Sequence, residues 1–80
     1  MKNQIPDIAR CIEQNLQQYF RDLDGETPCA VYDMVIFQVE KPMLACVMAE
    51  CGGNQSKAAA VLGLNRNTLR KKLLQHGLIE

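Results

Sequence analysis

The stretch Gly53-Asn-Gln-Ser-Lys-Ala-Ala-Ala-Val-Leu-Gly-Leu-Asn-Arg-Asn-Thr-Leu-Arg-Lys-Lys-Leu73 decides the fold. Asn54 is a helix N-cap residue, because its side-chain oxygen can accept from the free N–H groups of a first helical turn. Gln55 to Leu62 then predicts two turns of helix, with Ala58, Ala59 and Leu62 inward. Gly63 permits the left-handed backbone of a tight turn. Leu64 packs under that turn, and Asn65 caps a second helix running from Arg66 to about Gln75. Leu69 and Leu73 are its inward positions, and Gly77 ends it. Small side chains at Ala58 and Ala59 let the two helices cross closely, with Leu62, Leu64, Leu69 and Leu73 as a shared core. The unit is a helix-turn-helix.

The outer face of this unit carries chemistry. Asn67 and Lys71 fall opposite Leu69 and Leu73, and Arg66 sits in the first turn, where a long side chain reaches past the helix end. Helix-turn-helix DNA readers present this region of the second helix to base edges in the major groove. An Arg can bond both guanine acceptors there, and an Asn can bond adenine in the same bidentate manner. Ser56, Thr68 and the free N–H groups at both helix starts suit phosphate oxygens. Lys57, Arg70, Lys71 and Lys72 supply charge for contacts to the DNA backbone. The competing reading is a surface pair of helices whose basic side touches an acidic protein. Asn65, Arg66, Asn67 and Thr68 favour DNA, since a purely electrostatic interface has no need of a hydrogen-bonding set suited to base edges.

Charge supports the same reading. The 80 residues have no formal net charge. Residues 1–51 hold four basic and eight acidic residues, whereas residues 52–80 hold five basic residues and only Glu80 as an acid. A basic end of this kind points to a polyanion. The length allows one domain, and 48% hydrophobic residues is a large apolar share for so short a chain. A partner subunit is therefore expected to complete the core. No apolar run is long enough for a membrane span, and Met1 to Ile5 lacks the apolar stretch of a signal peptide, so a cytoplasmic protein is expected.

Enzyme chemistry finds little footing. His76 is the single histidine, near the C-terminus, and reads as a capping or surface residue. There is no nucleophile–base pair, no Gly-rich phosphate loop after a strand and no metal-ligand spacing, so neither cofactor nor metal is expected. Cys11, Cys29, Cys46 and Cys51 contain no CxxC pair, and each stands where a small apolar residue would serve. They read as buried free thiols of a reducing compartment.

Upstream, two longer helices are expected. Pro6 suits a first helical turn. Ile8, Ile12, Leu16, Tyr19, Phe20 and Leu23 follow at three- and four-residue steps as one apolar stripe, and Gly25 ends that helix. Thr27 as N-cap with Pro28 at the first helical position predicts a second helix from roughly Pro28 to Cys51. Val31, Met34, Val35, Val39, Met43, Cys46 and Val47 form one stripe, while Tyr32, Ile36, Leu44 and Met48 lie off it. A helix apolar on more than one face is buried on more than one face, and the second face is expected to meet another subunit. Pro42 sits inside it. The stripe keeps its phase from Val39 through Met43 to Val47, so a kinked, continuous helix is expected rather than a break. Residues 1–51 then form the dimerisation part and 52–80 the DNA-binding part of one compact domain.

The stretch GNQSKAAAVLGLNRNTLRKKL resembles the C-terminal helix-turn-helix of the Fis family (factor for inversion stimulation). The resemblance extends from Ile5 through Leu78 and takes in the Tyr19-Phe20 pair, the Gly25 turn and the Val39-Glu40-Lys41-Pro42-Met43-Leu44 segment. It implies an all-α, four-helix core in an interlocked homodimer, with the proline-kinked helix at its centre. It implies a nucleoid-associated regulator that binds and bends double-stranded DNA with loose specificity. RNA polymerase is a candidate further partner. By residue match, Arg66 would contact guanine and Asn65 a neighbouring base or phosphate, while Asn54, Gln55, Ser56, Thr68, Arg70 and Lys71 would hold the backbone. Three departures stand out. Only about five residues precede the first helix, where some family members carry a mobile arm. Leu74, Gln75 and Gly52 stand where lysines or other basic residues are common. Asn67 replaces a small Gly beside the recognition Arg.

Overall fold

The computed structural model describes residues 6–80, and the reading of Met1 to Ile5 lies outside them. Four helices account for the regular structure: α1 Pro6–Asp22, α2 Val31–Glu50, α3 Gln55–Leu62 and α4 Arg66–Gln75. The described residues contain no strand, so the chain is all-α as expected. None of these helices is long and apolar enough to cross a membrane.

The chain falls into two compact units, the first ending at Val31. The first contains α1. Its apolar stripe is only half-covered at Ile12, Leu16, Tyr19 and Leu23, and Ile8 and Phe20 lie open to solvent. The rings of Tyr19 and Phe20 meet edge to face, 5.5 Å between centroids. The other side of the helix is polar, with Gln18 bridging Arg21 and Asp22. Past its end, Asp24 and Gly25 both take positive φ, which turns the chain where the glycine predicted.

The second unit runs from Tyr32 to Glu80. Here α2 begins three residues later than the Thr27-Pro28 signal predicts. Ala30 adopts a left-handed φ of 53°, which no first helical turn accommodates. A Thr-Pro pair serves an open turn as well as a helix start, and the turn prevails here. At Pro42 the helix continues unbroken, as the stripe phase predicts. The ring leaves the Gln38 carbonyl without its usual donor four residues on.

The core lies where the end of α2 meets α3 and α4. Leu44, Leu69 and Leu73 are withdrawn completely from solvent, with Cys51, Ala58 and Ala59 beside them. Val47, Met48, Leu62, Leu64, Leu78 and Ile79 close the edges. Both apolar faces of α2 contribute to this core. The face that packs on the helix pair takes Leu44, Met48 and Cys51 from outside the longer stripe and Val47 from within it. The rest of the longer stripe is half-covered apart from exposed Met43 and Cys46, and off it Tyr32 and Ile36 are exposed as well. The thiols follow suit: Cys51 alone is buried, and Cys11, Cys29 and Cys46 are exposed free thiols of this chain.

Between α3 and α4 the turn is set by hydrogen bonds. The Leu64 N–H donates to the Ala59 carbonyl at 2.9 Å, and Gly63 sits in the left-handed region at φ 75°. This closure consumes carbonyls that the helix end would leave unpaired. A Cβ built on Gly63 meets nothing within 4 Å, so the demand for glycine is conformational and not steric. Gly63→Ala is therefore expected to destabilise the fold by about 1 kcal/mol, the cost of a left-handed backbone for an L-residue. Denaturant unfolding checks it, and a loss several times larger would place a steric conflict at the turn. In the core, Leu44→Ala is expected to cost roughly 2–5 kcal/mol by the same measurement.

Candidate nucleic-acid interface

The two caps form as the sequence predicts. Asn54 Oδ1 accepts from the Lys57 N–H at 3.0 Å, fixing the start of α3. Asn65 Oδ1 accepts from the Asn67 N–H at 2.8 Å and the Thr68 N–H at 3.4 Å, fixing the start of α4. Both asparagines are exposed, and each has its carbonyl oxygen committed to its own helix. Each retains its amide Nδ2 donor for a ligand, and Asn54 also keeps one lone pair on Oδ1.

Arg66, Asn67, Thr68, Arg70 and Lys71 are all exposed on α4, and Ser56 and Lys57 are exposed on α3. Gln55 is half-covered. One Arg66 guanidinium nitrogen donates to Ser56 Oγ at 3.2 Å, so the two helices share a polar contact on this face. That bond limits the swing of a long side chain and leaves its other donors free. Among the described residues, no carboxylate lies within ion-pair distance of Lys57, Arg66, Arg70 or Lys71.

Lys72 is placed differently from the other predicted cations. Its Nζ donates to Glu40 Oε2 on α2 at 2.6 Å, and its side chain is only 31% exposed. The ammonium is neutralised inside the chain, so Lys72 does not join the free cations on the open face of α4. His76 departs from expectation too. It occupies the C-cap of α4, as a capping role requires, but it is buried and not a surface residue. Its Nε2 lies 3.0 Å from the other Glu40 oxygen, and its ring packs on Phe37 with centroids 4.5 Å apart. An ionised carboxylate only accepts, so Nε2 carries the proton and donates. Nδ1, equally buried, has no partner.

The Glu40 carboxyl is held below the ordinary carboxylate range, first by the Lys72 hydrogen bond and then by that from His76. Partial burial opposes the shift and is outweighed. Sequence reasoning overlooked this trio, although its signal was present. Leu69, Leu73 and His76 follow the i, i+4, i+7 spacing of a single helix face, which puts His76 in the buried stripe. Among the described residues, no three His, Cys, Asp or Glu side chains are grouped to hold a metal ion.

A short helix capped by asparagine, a glycine turn and a second capped helix with an open basic start define the class of helix-turn-helix proteins. The model of the Fis family, described as bacterial regulatory proteins, matches residues 36–76. A Fis-like DNA-binding protein of Neisseria meningitidis is 70% identical over 79 residues, covering 99% of this chain and 100% of that protein. One from Ralstonia nicotianae is 60% identical over 72 residues, covering 90% and 94%. The DNA-binding protein Fis of Glaesserella parasuis is 46% identical over 79 residues, covering 94% and 81%. The chain belongs to the Fis family.

The depressed Glu40 pKa has a defined sign. A lowered folded-state value contributes stability above the ordinary value of 4.5 and loses it as pH falls through the folded value. Thermal unfolding followed from neutral to acid pH should show wild type losing stability below that point, with a smaller acid loss in Glu40→Gln. Identical acid profiles would remove Glu40 from the linkage.

Proposed function

We propose that this chain is a homodimeric regulator that binds and bends double-stranded DNA, with α4 of each subunit in the major groove. One observation carries the reading. Arg66, Asn67, Thr68, Arg70 and Lys71 are exposed together along α4, with no carboxylate partner, on a helix whose start is fixed by Asn65. Arg66 reads guanine, and Asn65 and Asn67 meet neighbouring bases or phosphates. Asn54, Gln55, Ser56, Lys57, Thr68, Arg70 and Lys71 hold the DNA backbone. The relatives' names, Fis-like DNA-binding protein and DNA-binding protein Fis, agree with this assignment.

Residues 1–51 make the dimer, and residues 52–80 meet the DNA. The exposed Tyr32, Ile36 and Met43 on α2 and the half-covered stripe on α1 support a second copy as the occupant of both. The surplus of acid in residues 1–51 also disfavours DNA as their partner. Bending follows if the two copies of α4 lie closer together than one turn of straight DNA, about 34 Å. The protein then works without enzymatic chemistry on the cytoplasmic nucleoid, and RNA polymerase is a candidate neighbour of the bound dimer.

A gel-shift and bend assay tests this, using a short A/T-centred duplex with guanines near each end, across a salt series. Wild type should give discrete, bent, salt-sensitive complexes. Arg66→Ala should lose about 1–3 kcal/mol of discrimination at one guanine per half-site. An equal loss on specific and random duplexes would end the base-reading role. Lys71→Ala should weaken all sequences alike and lower the salt slope by roughly one per chain. Sedimentation should show a dimer at micromolar concentration. A monomer, or no complex at low salt, would turn the assignment to a protein-interaction module.

A further inference from the structure

Glu40 makes the side-chain hydrogen bonds that join α2 to α4 among the described residues. Its two oxygens are divided: Oε2 takes the Lys72 ammonium at 2.6 Å and Oε1 takes His76 Nε2 at 3.0 Å. Lys72 and His76 are four residues apart, so they rise from one side of the helix, one turn apart. Two fixed points at that spacing resist both rotation of α4 about its axis and sliding along it. Either motion would carry Arg66 and Lys71 out of place. The same carboxylate also masks a cation that would otherwise join the free charges of α4. Mobile, unpaired lysines favour DNA of any sequence, because phosphate contacts carry no base information.

We propose that Glu40 is a positioning residue for base recognition: it pins α4 through Lys72 and His76 and withholds Lys72 from the DNA backbone, raising discrimination between site and non-site DNA. This rests on the DNA-binding reading given above. The carboxylate is the group required, since a glutamine cannot neutralise Lys72 and offers one carbonyl oxygen to two donors. Neither Lys72 nor His76 reads a base. Their contribution lies in the orientation of the residues on the opposite side of the helix.

The test compares wild type, Glu40→Gln, Lys72→Gln and the double variant on a specific and a random duplex across a salt series. Thermal unfolding is followed in parallel. Glu40→Gln should release Lys72, steepening the salt slope on random DNA by about one per chain. The specific-to-random affinity ratio should fall about fivefold, the change that ~1 kcal/mol produces. Lys72→Gln alone should leave the random-DNA slope unchanged, and in the double variant the added slope should vanish. A role in stability alone would scale both affinities by the folded fraction and leave ratio and slope as they were. That result overturns the proposal, as does a slope lowered by one in Lys72→Gln, a variant that retains the Glu40–His76 contact if Glu40→Gln does not fold. Wild type that binds both duplexes, with an unchanged ratio in Glu40→Gln, removes only this role. Wild type that binds neither removes the DNA-binding reading and this proposal with it.

Discussion

Burial of Leu44 against Leu69 and Leu73 is the contact on which the rest of the second unit depends. An eight-residue α3 and a ten-residue α4 are too short to persist alone in water. Their caps define where they begin and end, but the leucine contact supplies most of the energy that keeps them folded. Ala58 and Ala59 make it possible, because larger side chains there would hold the helices apart. Once the leucines are buried, the opposite side of α4 is presented to solvent by default. The basic face is thus a geometric consequence of the core.

The short helices were legible in the sequence to the residue. Asn54 and Asn65 are caps whose oxygens have local partners, and Gly63 and Gly77 both adopt positive φ at the expected ends. Such signals are decided by a few neighbouring atoms. The α2 start was not legible, because Thr27-Pro28 is compatible with two backbone paths and only the φ of Ala30 separates them. The choice of α2 face was not legible either. Periodicity locates apolar stripes, but which stripe meets the helix pair is settled by packing across the chain. Lys72 illustrates the same limit. Counted as charge it belongs with Lys71, yet it lies beside the Leu69–Leu73 stripe and meets Glu40, 32 residues earlier.

The two ends of the chain differ in charge as well as in burial. The acidic surplus lies in residues 1–51, with the apolar stripes that this chain covers only in part, and the basic surplus lies on α3 and α4, around the leucine core. Like charge discourages the first part from lying on a polyanion, while its apolar faces favour burial against protein. Exposed Cys11, Cys29 and Cys46 fit that division, since each lies outside the leucine core.

The caps carry one last consequence, for what the exposed face of the helix pair can offer a ligand. Asn65 commits its amide oxygen to two N–H groups of its own helix and Asn54 commits one lone pair of its own, so towards a ligand both offer chiefly their Nδ2 donors, like the lysines and arginines around them. Donors suit phosphates, purine N7 and the keto oxygens of guanine and thymine, a set so widespread along a duplex that it distinguishes little. Asn67 is the asparagine whose side chain has no intrachain bond among the described residues, and it keeps both halves of its amide. It is therefore the asparagine whose whole amide, donor and acceptor alike, stays open to a partner.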